Sequence, residues 1–93
     1  MRSITQAVPA ALTELLRGVP LSTGKVTFAW KAVVGPALER VTSVRLEGHL
    51  LLVDADSTQW AREIHRSSPL ILRRLTTLLG DNVVNELAVR TRS

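Results

Sequence analysis

The stretch Leu50–Ala55 constrains the fold of this chain more than any other. It reads Leu-Leu-Leu-Val-Asp-Ala, which is too short for a stable helix and apolar on both faces of a strand. The segment before it, Ser43–Glu47, alternates apolar with charged or polar residues, and a Gly-His pair at 48–49 suits a tight turn. The sequence therefore predicts a β-hairpin whose second strand lies in the middle of a sheet.

Apolar residues spaced by three and four positions predict three helical segments. The first covers residues 4–17 and is followed by a loop rich in Gly, Pro and Ser. The second covers Lys25–Val41, with a kink or a close helix contact expected at the Gly-Pro pair 35–36. The third covers Thr58–Leu79, and Pro69 within it leaves open whether this is one bent helix or two.

The last predicted strand is Val83–Thr91, with Val83, Leu87 and Val89 on one side and Glu86 and Arg90 on the other. A long helical segment separates it from Leu50–Ala55, so these two strands are parallel if they are neighbours. The fold class expected is α+β: a two-layer domain of order α-α-β-β-α(α)-β with a three-stranded mixed sheet and helices mainly on one face. We expect one domain over residues 1–93, with an N-terminal helix and loop at 1–22 and a core at 25–91.

The central strand raises the question of what covers its second apolar face. Either Leu50 and Leu52, or Leu51 and Val53, must point away from the main helix layer. In one interpretation the N-terminal helix folds over this face, or the face stays partly exposed to water. In the other interpretation the face binds a partner or a second copy of the chain, and we assign Leu51 and Val53 to that partner surface.

The residue types give little support to catalysis. The chain has no Cys, which excludes disulfides, thiolate metal sites and Cys nucleophiles. We interpret His49 and His65 as ordinary surface residues. Ser57 or Thr58 can cap the next helix, and we interpret Asp54 and Asp56, just before it, as contributing to this capping rather than holding Mg²⁺. With no glycine-rich phosphate loop and no zinc-ligand spacing, we predict no enzyme activity, no metal and no cofactor. The absence of Cys and of a span of about 20 apolar residues favours a cytoplasmic protein with no membrane segment.

Arginine supplies ten of the twelve basic residues, and the formal net charge is +4. If the helical phase continues through Pro69, Arg62, Arg66 and Arg73 fall on the face opposite the apolar stripe. Three guanidinium groups on one face can contact successive phosphates of a nucleic acid. Arg45, Arg90 and Arg92 extend this positive charge near the sheet edge. The alternative is a solvated helix face with no ligand.

Both tryptophans lie on apolar faces, so we predict that they belong to the core and do not stack on bases. Trp60→Ala is then expected to destabilise the protein by about 3–5 kcal/mol. Arg66→Ala, as a surface substitution, is expected to change stability by no more than about 0.5 kcal/mol. Nucleic-acid binding without stacking aromatics depends on phosphate contacts and has weak sequence specificity.

From Trp30 onward the chain resembles the DciA family, whose members load or operate the bacterial replicative helicase. The resemblance rests on five short matches in order: residues 30–35 (Trp-Lys-Ala-Val-Val-Gly), 47–50 (Glu-Gly-His-Leu), 56–61 (Asp-Ser-Thr-Gln-Trp-Ala), 72–75 (Leu-Arg-Arg-Leu) and 79–80 (Leu-Gly). Trp30, Gly35, Trp60 and Gly80 are the positions of these motifs that we assign to structure rather than to binding.

The resemblance implies a KH-like domain and a non-enzymatic role in DNA replication. The implied partners are single-stranded or junction DNA and the replicative helicase. Residues 65–69 (His-Arg-Ser-Ser-Pro) stand where KH domains carry a glycine-containing clamp loop. Two alternatives therefore stay open: a protein-interaction module that docks on the helicase or forms a homodimer, and a KH-like RNA-binding protein.

Overall fold

The structure, a computed structural model, describes residues 10–17 and 20–92. Residues 4–9 of the predicted first helix lie outside the described residues. Five helices and three strands make up the described part of the chain: α1 Ala10–Arg17, α2 Thr23–Val34, α3 Pro36–Arg40, β1 Thr42–Glu47, β2 Leu50–Ala55, α4 Thr58–Arg66, α5 Ser68–Leu79 and β3 Glu86–Thr91.

The three strands form one mixed sheet in the order β1-β2-β3. β1 pairs antiparallel with β2, and β2 pairs parallel with β3. This confirms the predicted α+β fold with a three-stranded mixed sheet. β3 begins later than predicted because Glu86 pairs with Leu50, the first residue of β2, and nothing in β2 is left to pair with Val83. Asn82, with a φ of 64°, forms the turn that precedes β3.

Both long helical segments are fully interrupted where the sequence predicted a kink or a bend, so each is two separate helices. Gly35 adopts a φ of 89°, which a residue with a side chain rarely tolerates, and it separates α2 from α3. The segment predicted as Lys25–Val41 is therefore two helices, of which the second starts with Pro36. At Ser67 the chain leaves helical geometry again, and Thr58–Leu79 is also two helices.

The helices cover one face of the sheet. α2 packs on β1 and on α5, α4 packs on β2 and β3, and α1 packs on α5. The inner face of β2 lies at the centre of the core, with Leu51, Val53 and Ala55 all 0% exposed. The domain thus has a sheet layer and a helix layer.

The predicted partner surface of Leu51 and Val53 is wrong. The register places both residues on the same side as Val44 of β1 and Val89 of β3, beneath the helices, where they belong to the core. The outer residues of β2, which include Leu52, are half-buried. α1 contacts α5 and not this outer face, so the interpretation in which the N-terminal helix covers the sheet does not hold for α1.

Trp30 connects three elements of the core. It is 1% exposed, and its Nε1 donates a hydrogen bond to Thr42 Oγ1 at 2.9 Å. Thr42 Oγ1 in turn donates to the carbonyl of Leu38 at 2.8 Å. α2, β1 and α3 are joined by this chain of bonds. Trp60 is only half-buried and packs at the margin of the core, so the prediction that both tryptophans are core residues holds fully for Trp30 alone.

These environments lower the expected cost of substituting Trp60 and assign the larger cost to Trp30. Trp30→Ala removes a fully buried ring and leaves Thr42 without its donor, so we expect a loss of about 3–5 kcal/mol. Trp60→Ala removes a half-buried ring, and we expect about 1–3 kcal/mol. Urea unfolding followed by circular dichroism measures both. A larger loss for Trp60→Ala than for Trp30→Ala would contradict this assignment.

Candidate nucleic-acid interface

A shallow groove of about 250 Å³ runs between α4 and β3. Thr58, Ala61, Arg62 and His65 line it from the helix, and Val89 lines it from the strand. The four helix residues are spaced by three, one and three positions, which places them on one face of α4. Arg62 and His65 are exposed, so the groove presents two basic side chains to solvent.

The start of α4, and with it the position of these side chains, is set locally. Ser57 lies just before the helix in an extended conformation, and its Oγ accepts a hydrogen bond from the backbone N–H of Trp60 at 3.3 Å. This is the N-cap interaction typical of Ser. Capping by Ser57 is thus confirmed, whereas the prediction that Asp54 and Asp56 take part is wrong, because both carboxylates bind arginines instead.

The strand side of the groove is an open sheet edge. The backbone N–H groups of Glu86 and Arg92 donate to carbonyls of His49 and Ala55 at the two ends of β2. In a parallel strand the backbone N–H and C=O groups of every second residue point toward the same neighbouring strand. Those of Leu87 and Val89 therefore point away from β2. No hydrogen bond from a turn, loop or cap of the described chain reaches those groups. The groove therefore offers the guanidinium of Arg62 together with unpaired backbone groups.

Arg66, the last residue of α4, is held by an ion pair. Its Nη2 donates to Glu63 Oε1 at 2.6 Å. The side chain of Glu63 is only 6% exposed, whereas that of Arg66 is 76% exposed. A buried carboxylate is thus neutralised by an arginine whose side chain faces solvent.

The alignment of Arg73 with Arg62 and Arg66 assumes one uninterrupted helix. The helix ends at Arg66, and α5 begins at Ser68 with its own neighbours, α1 and α2. The phase of α4 does not carry over to α5, so only Arg62 and Arg66 share a helix. Arg73 is exposed on α5.

Positive charge concentrates in the helix layer. α4 and α5 contain four arginines and one glutamate, whereas the three strands contain two arginines and three acidic residues. Most of the net charge of the protein is therefore carried away from the sheet. An anionic ligand is attracted to the helix side.

The arginines predicted to extend the positive charge near the sheet edge are paired within the chain. The Nη2 atom of Arg45 lies 3.0 Å from Oε2 of Glu47. Arg90 forms an ion pair with Asp54, and Arg92 forms one with Asp56. The hydrogen bond that Arg90 donates lowers the pKa of Asp54 below its ordinary value. All three pairs lie on or beside the outer face of the sheet, which is consequently close to neutral.

The centre of that outer face is apolar. Leu52 lies between Arg45 on β1 and Ala88 on β3. Leu50, two residues earlier in β2, lies on the same face. Leu50 and Leu52 are half-buried and Ala88 is exposed. No described helix packs on this side.

Sequence reasoning missed four groove residues: Thr58, Ala61, His65 and Val89. The spacing of Thr58, Ala61 and His65 around Arg62 was visible in the sequence. The sequence did not show that this helix face lies beside β3, and it is the two together that form the groove.

Across residues 10–17 and 20–92, no group of three or more His, Asp or Glu side chains is placed to hold a metal ion. No helix in those ranges is both long and apolar enough to cross a membrane.

Comparison with known sequences identifies the family. The family described as Dna[CI] antecedent, DciA, matches residues 3–89. The chain belongs to the DciA family.

Two proteins named UPF0232 are among its relatives. The one from Mycolicibacterium smegmatis (strain ATCC 700084 / mc(2)155) is 33% identical over 67 residues, which cover 71% of this chain and 34% of the relative. The one from Corynebacterium glutamicum (strain R) is 29% identical over 73 residues, which cover 77% of this chain and 41% of the relative. The chain thus matches less than half the length of either relative.

The Glu63–Arg66 pair changes the expected cost of removing Arg66. Arg66→Ala leaves a buried carboxylate without its cation, so we expect a loss of about 1–2 kcal/mol, discounted because Arg66 is well exposed. Arg73→Ala, at an exposed site with no ion pair among the described residues, should change stability by no more than about 0.5 kcal/mol. Urea unfolding of the two variants side by side measures the difference. Equal stabilities would show that the pair adds nothing.

Proposed function

We propose that this protein is a non-enzymatic accessory factor of DNA replication that binds single-stranded DNA in the groove between α4 and β3 and assists the replicative helicase. The observation that carries the proposal is the groove itself. Arg62 and His65 stand on one wall, and the open edge of β3 forms the other. Membership of the DciA family supports the connection to the helicase.

The open strand edge favours a single strand over a duplex. Unpaired bases expose hydrogen-bonding edges that can meet the free N–H and C=O groups of Leu87 and Val89, whereas a duplex has already used those edges. Arg62 can contact the phosphate backbone at the same time. The groove is also shallow, with small or aliphatic side chains at Ala61 and Val89 that leave room for a base.

Binding of this kind depends mainly on phosphate contacts. The groove contains no aromatic ring apart from His65, so base stacking contributes little and sequence specificity is weak. Arg66 lies one turn beyond Arg62 on α4, which suits contact with a neighbouring phosphate. In this proposal Arg73 extends the positive surface on α5, and Arg45 and Arg90 take no part because they lie on the outer face of the sheet, away from the groove.

Titration of fluorescein-labelled oligo-dT with the protein at two or more salt concentrations tests the DNA part. Arg62→Ala should weaken binding by about 3–10-fold and lower the slope of log K against log salt by about 0.7, the value for one phosphate contact on a single strand. Arg45→Ala is the matched control, because it removes the same charge from the outer face, and it should leave the slope unchanged.

Several outcomes of this titration bear on the proposal. Absence of binding at low salt contradicts it, and so does an equal loss for Arg45→Ala and Arg62→Ala. A matching duplex should compete less well than the single strand. Tighter binding of oligo-rU than of oligo-dT would instead favour RNA as the ligand.

The outer sheet face favours a second role, protein docking. Leu50, Leu52 and Ala88 form an apolar centre flanked by the Arg45–Glu47 and Arg90–Asp54 pairs. Interfaces commonly combine an apolar centre with a polar rim. The face lies on the opposite side of the sheet from the helix layer, so a protein partner there leaves the groove free. We propose that the helicase binds this face.

A pull-down with the replicative helicase of the same bacterium tests the docking role. Ala88→Arg places a long cation at the centre of the outer face and should abolish capture, because it leaves an unpaired charge in the interface. Thr27→Arg, an equal change at an exposed site on α2, should leave capture intact. Capture that survives Ala88→Arg contradicts the proposal. If the unaltered protein is a homodimer and Ala88→Arg makes it a monomer, the face is assigned to self-association.

A further inference from the structure

We propose that Glu63 is a positioning residue for DNA binding: its buried carboxylate holds the exposed guanidinium of Arg66 in the orientation that meets a phosphate. This inference rests on the proposed function of the α4–β3 groove. It assigns a role to a buried acidic residue of α4, the helix that forms one wall of the groove.

The burial of Glu63 is the first observation. Its side chain is 6% exposed, although a carboxylate loses strong hydration when it is buried. The residue faces the interior together with Ile64 of the same helix. Its carboxylate therefore has a fixed position, unlike the carboxylates of surface glutamates.

The one-sided exposure of the pair is the second observation. Arg66 reaches Glu63 with Nη2 at 2.6 Å, yet its side chain remains 76% exposed. No other hydrogen bond of this side chain occurs among the described residues, so most of its N–H donors face solvent. The geometry is that of an arginine anchored at one nitrogen and open at the others.

The backbone around the pair is also restrained. The carbonyl of Glu63 accepts a hydrogen bond from the N–H of Ser67, the residue that separates α4 from α5. Arg66 thus stands at the end of a capped helix rather than on a loop. Arg62, one turn earlier, has no ion pair within the described ranges.

Such anchoring changes the free energy of binding. An arginine side chain with no ion pair loses rotational freedom when it binds a phosphate, and this loss of conformational entropy weakens binding. An arginine already held in one orientation loses less. Arg66 therefore contributes more to affinity with Glu63 than without it, although the Glu63 charge by itself repels DNA.

The substitution Glu63→Gln separates these two effects because they have opposite signs. Removing a negative charge raises the net charge of the protein, so simple electrostatics predicts tighter binding of oligo-dT. Loss of positioning predicts binding about 3–10-fold weaker and a salt slope lowered by about 0.7, since the contact from Arg66 is lost. We expect the weaker binding. Tighter or unchanged binding overturns the proposal.

Glu39→Gln is the matched control. Glu39 lies on α3, is half-buried, and its replacement changes the charge by the same amount without touching an arginine of the groove. It should leave binding unchanged or tighten it slightly. Comparable weakening in both variants would overturn the role of Glu63.

A double substitution tests whether Glu63 acts through Arg66. In an Arg66→Ala background the positioning effect is already absent, so Glu63→Gln should no longer weaken binding. If it weakens binding equally in both backgrounds, its effect does not pass through Arg66 and the proposal fails. A merely structural role for Glu63 would not produce this dependence.

A measurement on the unaltered protein keeps the inference testable if Glu63→Gln does not fold. Nuclear magnetic relaxation of the arginine Nε–Hε groups should show Arg66 more ordered than Arg62, in the absence of DNA. Equal mobility of the two side chains overturns the proposal. If the unaltered protein fails to bind oligo-dT, the proposed function fails, whereas the relaxation result still reports whether Glu63 anchors Arg66.

Discussion

Burial of the inner face of β2 is the constraint on which the rest of the structure depends. Leu51, Val53 and Ala55 are fully excluded from solvent, and β2 pairs with a strand on each side. Its parallel pairing with β3 requires a long crossover, which α4 and α5 provide. This crossover places α4 over β3 at the edge of the sheet. The candidate groove is therefore a direct consequence of how the central strand is covered.

The distribution of charge follows the same two layers. On the sheet, Arg45 and Arg90 are neutralised by neighbouring carboxylates, and the helix layer retains most of the net positive charge. The positive charge therefore attracts anions to one side of the molecule and not to the other. The near-neutral outer face, with Leu52 at its centre, suits a protein partner instead. The two proposed roles therefore do not compete for the same surface.

The sequence predicted the strands and their pairing well, because Ser43–Glu47 alternates and the turn after it is short. It did not predict which side of β2 faces the helices, since four consecutive apolar residues fit either orientation. The choice depends on the register with β1 and β3, which brings Leu51 and Val53 under the helices. The environment of Trp60 was missed for a similar reason: an apolar helix face indicates the direction of the core but not the depth of each residue within it.

The sequence by itself indicated the places where the helical segments are interrupted, at the Gly-Pro pair 35–36 and near Pro69, because those signals are local. Gly35 permits the positive φ that ends α2, and Ser57 caps the helix next to it. It also determined the membership of the DciA family and the excess of arginine. Only the tertiary structure determined which arginines pair with carboxylates. Arg90 and Asp54 are 36 positions apart and meet only through the parallel pairing of β2 and β3, so no local pattern reports their contact.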